Sequence, residues 1–473
     1  MSDDTSLLAI LEQQLGKRAV LRDPADQARY LSDWAGNRLG MPLAVVRPAS
    51  TAELAEVVAL CREHGVAMTP QGGHSGLVAG ALPASDGREL VISLERLNRI
   101  RDIDPVNFSM TVDAGCILET IKQAAAEHDC DFPLSLGAQG SCQIGGNIAT
   151  NAGGLNVLRH GMMRQLVLGL EVVLPDGRIW NGLNTLHKDN RGVDLKQLFL
   201  GSEGTLGIVS GAVLKLVPKA EQSRTALLGL PSVEAVIDLY VLARRGCSDL
   251  LTAFELIPRR CIELAMEATP SLSDPMEEAH PWYVLMEVAA TGPVDLSAML
   301  EQLLERGMER ELVLDGALAS SENQSLQLWQ FRESMLEGQR LRGEHLRTDI
   351  SVPISAIPAF VTEATEAVMA ASPDCEIIAY GHVGDGNLHF NILPPGTLDN
   401  DAKHDHLHAL ETTLFEVLDG FDGSISAEHG IGRAKQAAYL SRLSPMELEL
   451  ARGIKTLLDP DGLMNAGRIL PAR

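Results

Sequence analysis

His382 and His389 flank VGDGN in the stretch IIAYGHVGDGNLHFNILPP (377–395). IIAYGH and LHFNILP each read as a strand, and the Asp-Gly and Gly-Asn steps between them carry turn chemistry. A hairpin would place the two imidazoles on facing strands. His389 and Asn391 are two residues apart and so project from one face. Two imidazoles and one carboxylate make a three-ligand metal site that keeps positions open. SISAEHGIG (424–432) offers that carboxylate in Glu428, next to His429 in a Gly-bounded loop. His429 could then act as a base beside the metal. The competing reading is structural: a polar surface pair, or one buried histidine satisfied by backbone.

Arg332 in FRESMLEGQR and Arg347 in LRTDISVP could hold carboxylates through paired N–H groups. An isolated arginine is more often a surface or ion-pair residue. The wider charge balance sharpens the question. The 473 residues carry 39 Lys and Arg against 63 Asp and Glu, a formal net charge of -24. Such a surface repels nucleic acid and anionic membranes. Any anionic substrate must be drawn in by a local positive site.

Three glycine-rich segments lie in the first half: PQGGHSGLVAG (70–80), the block 137–154, and GSEGTLG (201–207). Glycine lets backbone N–H groups approach a phosphate closely. Three such loops suggest an extended, pyrophosphate-containing ligand. No GK[ST] follows, so none is a Walker A loop, and no GxGxxG opens a helix after a first strand. Asn147, Thr150 and Asn151 can hydrogen-bond a heterocycle or a ribityl chain, or can simply stabilise turns. Tight turns in a strand-rich domain are the bland alternative for the glycines.

The elements that must position these residues follow from pattern. LAVVRPAS (43–50) reads as strand then turn. TAELAEVVALCREHGV (51–66) has Leu54, Val57, Val58 and Cys61 at helical spacing, with Thr51 as a candidate N-cap. ELVISLERL is a strand, and SMTVDAGCILETIKQAAAEHD a strand, Gly turn and helix. The block 137–161 is too rich in glycine for a regular element. LGLEVVLPDGRIW (168–180) is a hairpin, and GTLGIVSGAVLKLVP (204–218) is strand-like. From about residue 222 strands such as ALLGL and WYVLMEVA alternate with helices such as SAMLEQLLERG, the texture of a separate α+β domain. From 421 onward the chain reads as a loop plus two helices. The length predicts two or three domains.

The seven cysteines are scattered without a CxxC. This predicts a reducing, cytoplasmic setting and argues against iron–sulfur clusters and Cys-ligated zinc. The N-terminal stretch is acidic and then amphipathic, without a signal-peptide pattern. The longest apolar runs read as too short or too interrupted to span a bilayer.

Taken together, these segments resemble the flavin dehydrogenases of the vanillyl-alcohol-oxidase superfamily, and within it the FAD-dependent D-2-hydroxyglutarate dehydrogenase family. The resemblance covers nearly the whole chain. It is carried by LGAQGSCQIGGNIATNAGGLNVLRHG, LGLEVVLPDG, KDNRGVDLKQLFLGSEGTLGI, YGHVGDGNLHFN, SAEHGIG and DPDGLMNAGRILP. It implies an α+β architecture: a PCMH-type FAD-binding domain over 1–220, a substrate-binding cap over 221–420, and a C-terminal helical segment over 421–473 that completes the FAD domain. The FAD pyrophosphate should lie against Pro70, Gly72, Gly73, His74, Ser75 and Gly76 and against Gly137, Gly140, Ser141, Gly145, Gly146 and Asn147. Thr150, Asn151, Gly153 and Gly154 should join Ser141 and Asn147 along the flavin, with Ile208 and Asn465 as further contacts. His382, His389 and Glu428 fall on the family's zinc ligands, although manganese or iron could occupy such a site. Asn391 falls on a substrate contact, His429 on the general base, and Arg332 on a carboxylate-binding arginine.

Three positions depart from the family pattern. Arg347 stands where relatives tend to carry Lys. Leu336 stands where a small polar residue is expected near the substrate's distal carboxylate. His74 stands where relatives usually place Asn. In another branch of the superfamily a GGH histidine is joined covalently to the flavin, but a non-covalent polar contact is the expectation here. The implied reaction oxidises D-2-hydroxyglutarate to 2-oxoglutarate. A metal lowers the hydroxyl pKa, His429 takes the proton, and hydride passes to flavin N5. D-lactate, D-malate and glycolate are alternative substrates, and an oxygen-using flavin oxidase is an alternative activity. An electron-transfer flavoprotein or a quinone is the expected acceptor, and a homodimer is the expected assembly.

Overall fold

Strands buried along their length, such as Ala44–Val46 and Glu89–Ser93, need cover on both faces, the setting of parallel sheets flanked by helices. Ala44–Val46, Glu89–Ser93 and Ala67–Gln71 pair in parallel, with Val20–Leu21 antiparallel at the edge. The helix Thr51–Glu63 buries Leu54, Val57, Val58 and Cys61. Its N-cap is Ser50, whose Oγ accepts from Glu53 N at 3.1 Å, and not Thr51. Thr51 is the first helical residue and donates instead to Glu171 Oε1.

A five-stranded antiparallel sheet follows, in the order Ile100–Asp104, Ser109–Asp113, Ile208–Lys215, Val167–Val173, Ile179–Gly182. The Pro-Asp-Gly turn closes its last hairpin. The glycine-rich block 137–161 holds two regular elements that its composition argues against, the helix Ile144–Ala149 and the short helix Val157–His160. Tertiary bonds override propensity in the first: Gly145 N donates to Ala114 O at 2.7 Å and Ile144 N to Cys116 O at 2.9 Å.

The computed structural model describes residues 3–472. These sheets belong to a unit made of Met1–Gly154, His160–Lys219 and Glu428–Arg473. The C-terminal stretch is bonded into it: Met68 N donates to Leu463 O and Asn465 N to Met68 O, both at 2.8 Å. All seven cysteines of the chain are buried and free.

The second unit comprises Leu155–Arg159 and Ala220–Ala427. Its seven-stranded antiparallel sheet runs Asp315–Leu318, Gln222–Leu230, Trp282–Ala290, Leu251–Pro258, Glu376–His382, Asn387–Leu393, Ile350–Ser351. The helices Arg259–Ala268 and Glu322–Arg340 share a core with one face of it, through residues such as Ile257, Cys261, Leu285, Phe331, Ile378 and Tyr380. One helical stretch of this unit, Ile354–Ala371, is long and apolar enough to cross a membrane by length and composition, which the reading of apolar runs did not register. Ile357, Phe360, Val361, Ala364 and Val368 give it a buried face at helical spacing within the unit.

Candidate active site

Register decides what meets in the second unit. Across the Leu251–Pro258 and Glu376–His382 strands Glu255 is opposite His382. Across the next pair Tyr380 is opposite His389 and Ile378 opposite Asn391. Side chains alternate between faces. Glu255, Tyr380, His382, His389 and Asn391 therefore share the face that the Glu322–Arg340 helix covers, and that helix brings Arg332 to them.

The two imidazoles have ring centroids 6.0 Å apart. His382 Nδ1 lies 2.5 Å from Glu255 Oε1, and Arg332 Nε donates to Glu255 Oε2 at 2.8 Å. Glu255 is 1% exposed. Burial alone would push its carboxyl up, but the charges of His382 and Arg332 and their hydrogen bonds hold it down, at about 2. An ionised carboxylate only accepts, so His382 carries its proton on Nδ1. His389 Nδ1 lies 3.1 Å from the Thr348 carbonyl, which also only accepts. Both rings thus carry Nδ1–H, so Nε2 is the nitrogen that, once deprotonated, would offer the donor type that divalent zinc, iron and manganese accept.

Arg332 is buried, with its guanidinium carbon 4.9 Å from the Tyr380 ring centroid. Asn391 is 1% exposed. Its Oδ1 accepts from Thr348 N at 3.1 Å, and its Nδ2 donates to Gln339 Oε1 at 2.7 Å and to Tyr380 Oη at 3.4 Å. These bonds tie Asn391 to the Thr348 loop, on the same face of the sheet as the two histidines. Burial raises the Tyr380 phenol to about 12 despite Arg332, which keeps the hydroxyl neutral. Arg347 is exposed, next to buried Thr348. Leu336 follows Arg332 by one helical turn and is 46% exposed.

The glycine loops of the first unit divide into two kinds. A Cβ at Gly73 would strike the Ser141 carbonyl, one at Gly145 would meet Ala114 Cβ at 2.8 Å, and one at Gly154 would strike the Ser135 carbonyl. Those glycines are required by packing. Gly76, Gly137 and Gly146 have nothing within 4 Å of such a Cβ and no left-handed φ. Neither the fold nor the backbone demands glycine there, whereas a ligand lying against the chain would.

Side chains around these loops hold unspent hydrogen-bonding atoms. Gln71 Oε1, His74 Nδ1, Gln143 Oε1 and Asn465 Oδ1 are buried without a protein partner. Gln143 Oε1 faces Gly72, and Asn465 Nδ2 donates to the Gly80 and Glu203 carbonyls. Four orphaned polar atoms around open glycines fit an extended polar cofactor such as FAD. His74 has φ 59° and sits 5.7 Å from the Tyr30 ring. Burial first, and then Arg29, lower its pKa. Asn147 is buried on the Ile144–Ala149 helix, Thr150 caps that helix, and Asn151 is left-handed with φ 50°, its Oδ1 accepting from Arg164 N. Gly153 is buried beside Gly154, Pro70 and Ser75 are half-buried, and Gly140 and Ser141 are exposed. Ile208 opens the central strand of the five-stranded sheet.

Glu428 and His429 begin the C-terminal part of this same unit, apart from the histidine hairpin in the division of the chain. The loop after them is held by Glu203, whose two carboxylate oxygens accept from Ile431 N and Gly432 N, each at 2.7 Å. Glu203 itself has φ 50°, an uncommon conformation for a non-glycine residue.

Sequence reasoning missed Glu255, Tyr380, Thr348 and Glu203. Glu255 had a signal: it is the one charged residue in the apolar strand LTAFELIP, and a buried strand carries a charge only when something answers it.

Comparison with known proteins gives this arrangement its class. The family described as "FAD binding domain" matches residues 42–182, and that described as "FAD linked oxidases, C-terminal domain" matches residues 219–469. Among solved structures, p-cresol methylhydroxylase superposes with a TM-score of 0.77 at 15% identity, covering 100% of this chain and 98% of that one. Alkyldihydroxyacetonephosphate synthase also gives 0.77 at 15% identity, covering 97% and 84%. Fold and cradle define an FAD-dependent oxidoreductase with a PCMH-type FAD-binding domain.

The nearer relatives narrow the class. The chain is 40% identical to D-2-hydroxyglutarate dehydrogenase of Xanthomonas citri pv. viticola, over 97% of this chain and 96% of that one. It is 38% identical to the mitochondrial D-2-hydroxyglutarate dehydrogenase of Bos taurus, over 98% and 83%. A D-2-hydroxyglutarate–pyruvate transhydrogenase of Saccharomyces cerevisiae is 34% identical over 98% and 94%. The chain belongs to the D-2-hydroxyglutarate dehydrogenase family.

Proposed function

We propose that the chain oxidises the 2-hydroxyl of a D-2-hydroxy acid, D-2-hydroxyglutarate foremost, to the 2-oxo acid. The observation that carries the reading is end-to-end likeness to dehydrogenases of that name at 38–40% identity. The paired histidines beside a buried arginine supply chemistry to match. FAD, held by the loops at 70–76 and 137–154 with Asn465, would supply the acceptor for the hydride equivalent. We assign His382, His389 and Glu428 as ligands of a divalent metal, zinc being favoured by donor type, which would lower the pKa of the substrate hydroxyl. His429 takes the hydroxyl proton on a ring nitrogen. Arg332 and Arg347 hold substrate carboxylate charge. Burial of Arg332 excludes water from that contact and strengthens it.

The acceptor for reoxidation is external, an electron-transfer flavoprotein or a quinone, and the cytoplasm is the setting that cysteine usage supports. Leu336 favours a second reading. An exposed apolar side chain one turn from Arg332 suits a shorter acid such as D-lactate or D-malate. Anaerobic mixing of the purified holoprotein with D-2-hydroxyglutarate, D-lactate, D-malate and glycolate, with and without chelator, tests both. Bleaching of the flavin by D-2-hydroxyglutarate first, and its loss with chelator, is expected. A flavin that no hydroxy acid bleaches would overturn the proposal.

A further inference from the structure

Glu255 sits where a strand core would ordinarily place an aliphatic residue. Its neighbours Phe254, Leu256 and Ile257 are buried and apolar. Its carboxylate has two oxygens and each is committed, one to His382 and one to Arg332. An ion pair buried this deeply gives little net stability over a packed apolar pair. What it does give is geometry. Because Arg332 is a permanent cation, its partner is a carboxylate, and a carboxylate facing Nδ1 leaves His382 one tautomer. Any metal bond from His382 must then come from Nε2. The same carboxylate takes only Nε of Arg332, so the two Nη groups keep their donor capacity.

We propose that Glu255 is the positioning residue of the site: a single buried carboxylate that fixes His382 with Nε2 as its metal-binding atom and holds Arg332 in register to receive a substrate carboxylate. This deepens the functional reading above and rests on it. One side chain thereby sets the distance between the metal's imidazole and the cation that receives substrate. The His389 ring is oriented by a backbone carbonyl, that of Thr348, and the His382 ring by a carboxylate. Such outer partners restrict ring rotation and raise the basicity of the coordinating nitrogen.

The test uses the full-length holoprotein as wild type, Glu255→Gln and Glu255→Asp. Zinc affinity is read by competition with a chromogenic chelator, FAD content by absorbance, and KM and kcat with D-2-hydroxyglutarate. Glu255→Gln should weaken zinc about 10- to 100-fold and raise KM, with FAD content unchanged. Glu255→Asp should recover part of both losses. Zinc affinity and KM within about twofold of wild type in Glu255→Gln would overturn the inference and leave the functional reading standing. A wild-type protein that binds no zinc and bleaches with no hydroxy acid would overturn both. Should the variants fail to fold, ¹⁵N-histidine spectra of the unmutated, metal-free protein decide, with His382→Asn marking the resonance. An Nδ1–H tautomer is expected for His382, and an Nε2–H tautomer would overturn the inference.

Discussion

The flavin cradle and the histidine hairpin are built from different material. The cradle is backbone: Gly76, Gly137 and Gly146 leave open space, and a few orphaned side-chain atoms edge it. The hairpin is side chain: two imidazoles, a guanidinium and a phenol held by register and one carboxylate. A backbone site tolerates changes in side chains around it but not added volume. A side-chain site tolerates added volume at its edges but not the loss of one partner. Mutations can therefore tell the two apart.

The largest effect should come from His429, the group proposed as general base. His429→Ala is expected to lower kcat by about 10²- to 10⁴-fold, the usual contribution of a general base, while FAD stays bound. Steady-state kinetics with absorbance of the bound flavin read both. A variant that turns over normally would remove His429 from the mechanism. Next come two glycines three residues apart. Gly73→Ala puts a Cβ against the Ser141 carbonyl, and backbone cannot step aside cheaply. It should destabilise the apoprotein by about 1–3 kcal/mol. Gly76→Ala meets no protein atom within 4 Å. It should leave the apoprotein midpoint unchanged and weaken FAD about tenfold, roughly 1.4 kcal/mol. Equal effects of the two substitutions on apoprotein stability would erase the distinction between packing glycines and ligand-facing ones.

A buried carboxylate from each region, Glu255 and Glu203, is answered differently. Glu255 faces Arg332 and the Nδ1 of His382, and its pKa is lowered to about 2. Glu203 faces backbone N–H groups, and burial leaves its pKa raised. Linkage gives these opposite signs. A lowered carboxyl contributes stability that is full above its unfolded value of about 4.3 and is lost as pH falls toward 2. Between pH 5 and 7 its contribution is flat. A raised carboxyl contributes most below its unfolded value and loses that as pH rises through its folded value. The stability advantage of wild type over Glu203→Gln should therefore shrink from pH 5 to pH 7, and that over Glu255→Gln should not. Urea unfolding of the apoproteins at the two pH values checks this, and parallel slopes would break the contrast.

The same difference in material explains what could be read from sequence. Glycine runs and histidines announce themselves by type, so both the cradle and the hairpin were visible, and the hairpin's strands followed from alternation and a Gly-Asp-Gly turn. Glycine composition misled over Ile144–Ala149, because the helix is held by bonds to Ala114 and Cys116 from distant sequence. Arg332 was visible as a cation, but its partner Glu255 is 77 residues away in sequence. Asn391 lies on the expected face, and its bonds to Gln339 and Thr348 come from residues distant in sequence. Positioning groups are ordinary residues whose role exists only through register, and register across non-adjacent strands leaves no local signature.

His74 is where the two kinds of site come closest, a side chain inside a backbone cradle, and its effect should be the smallest. Its φ of 59° is one that Asn adopts readily, so His74→Asn should fold normally and shift FAD affinity by only a few-fold. Its Nδ1 is buried without a protein partner, which suits a hydrogen bond to the cofactor. Acid precipitation of the holoprotein separates a hydrogen bond from a covalent one. A hydrogen-bonded flavin leaves with the supernatant, and that is the expected result. A yellow pellet that turns colourless in His74→Asn would instead make His74 a covalent anchor, and the cradle would then depend on a side chain as strictly as the hairpin does on Glu255.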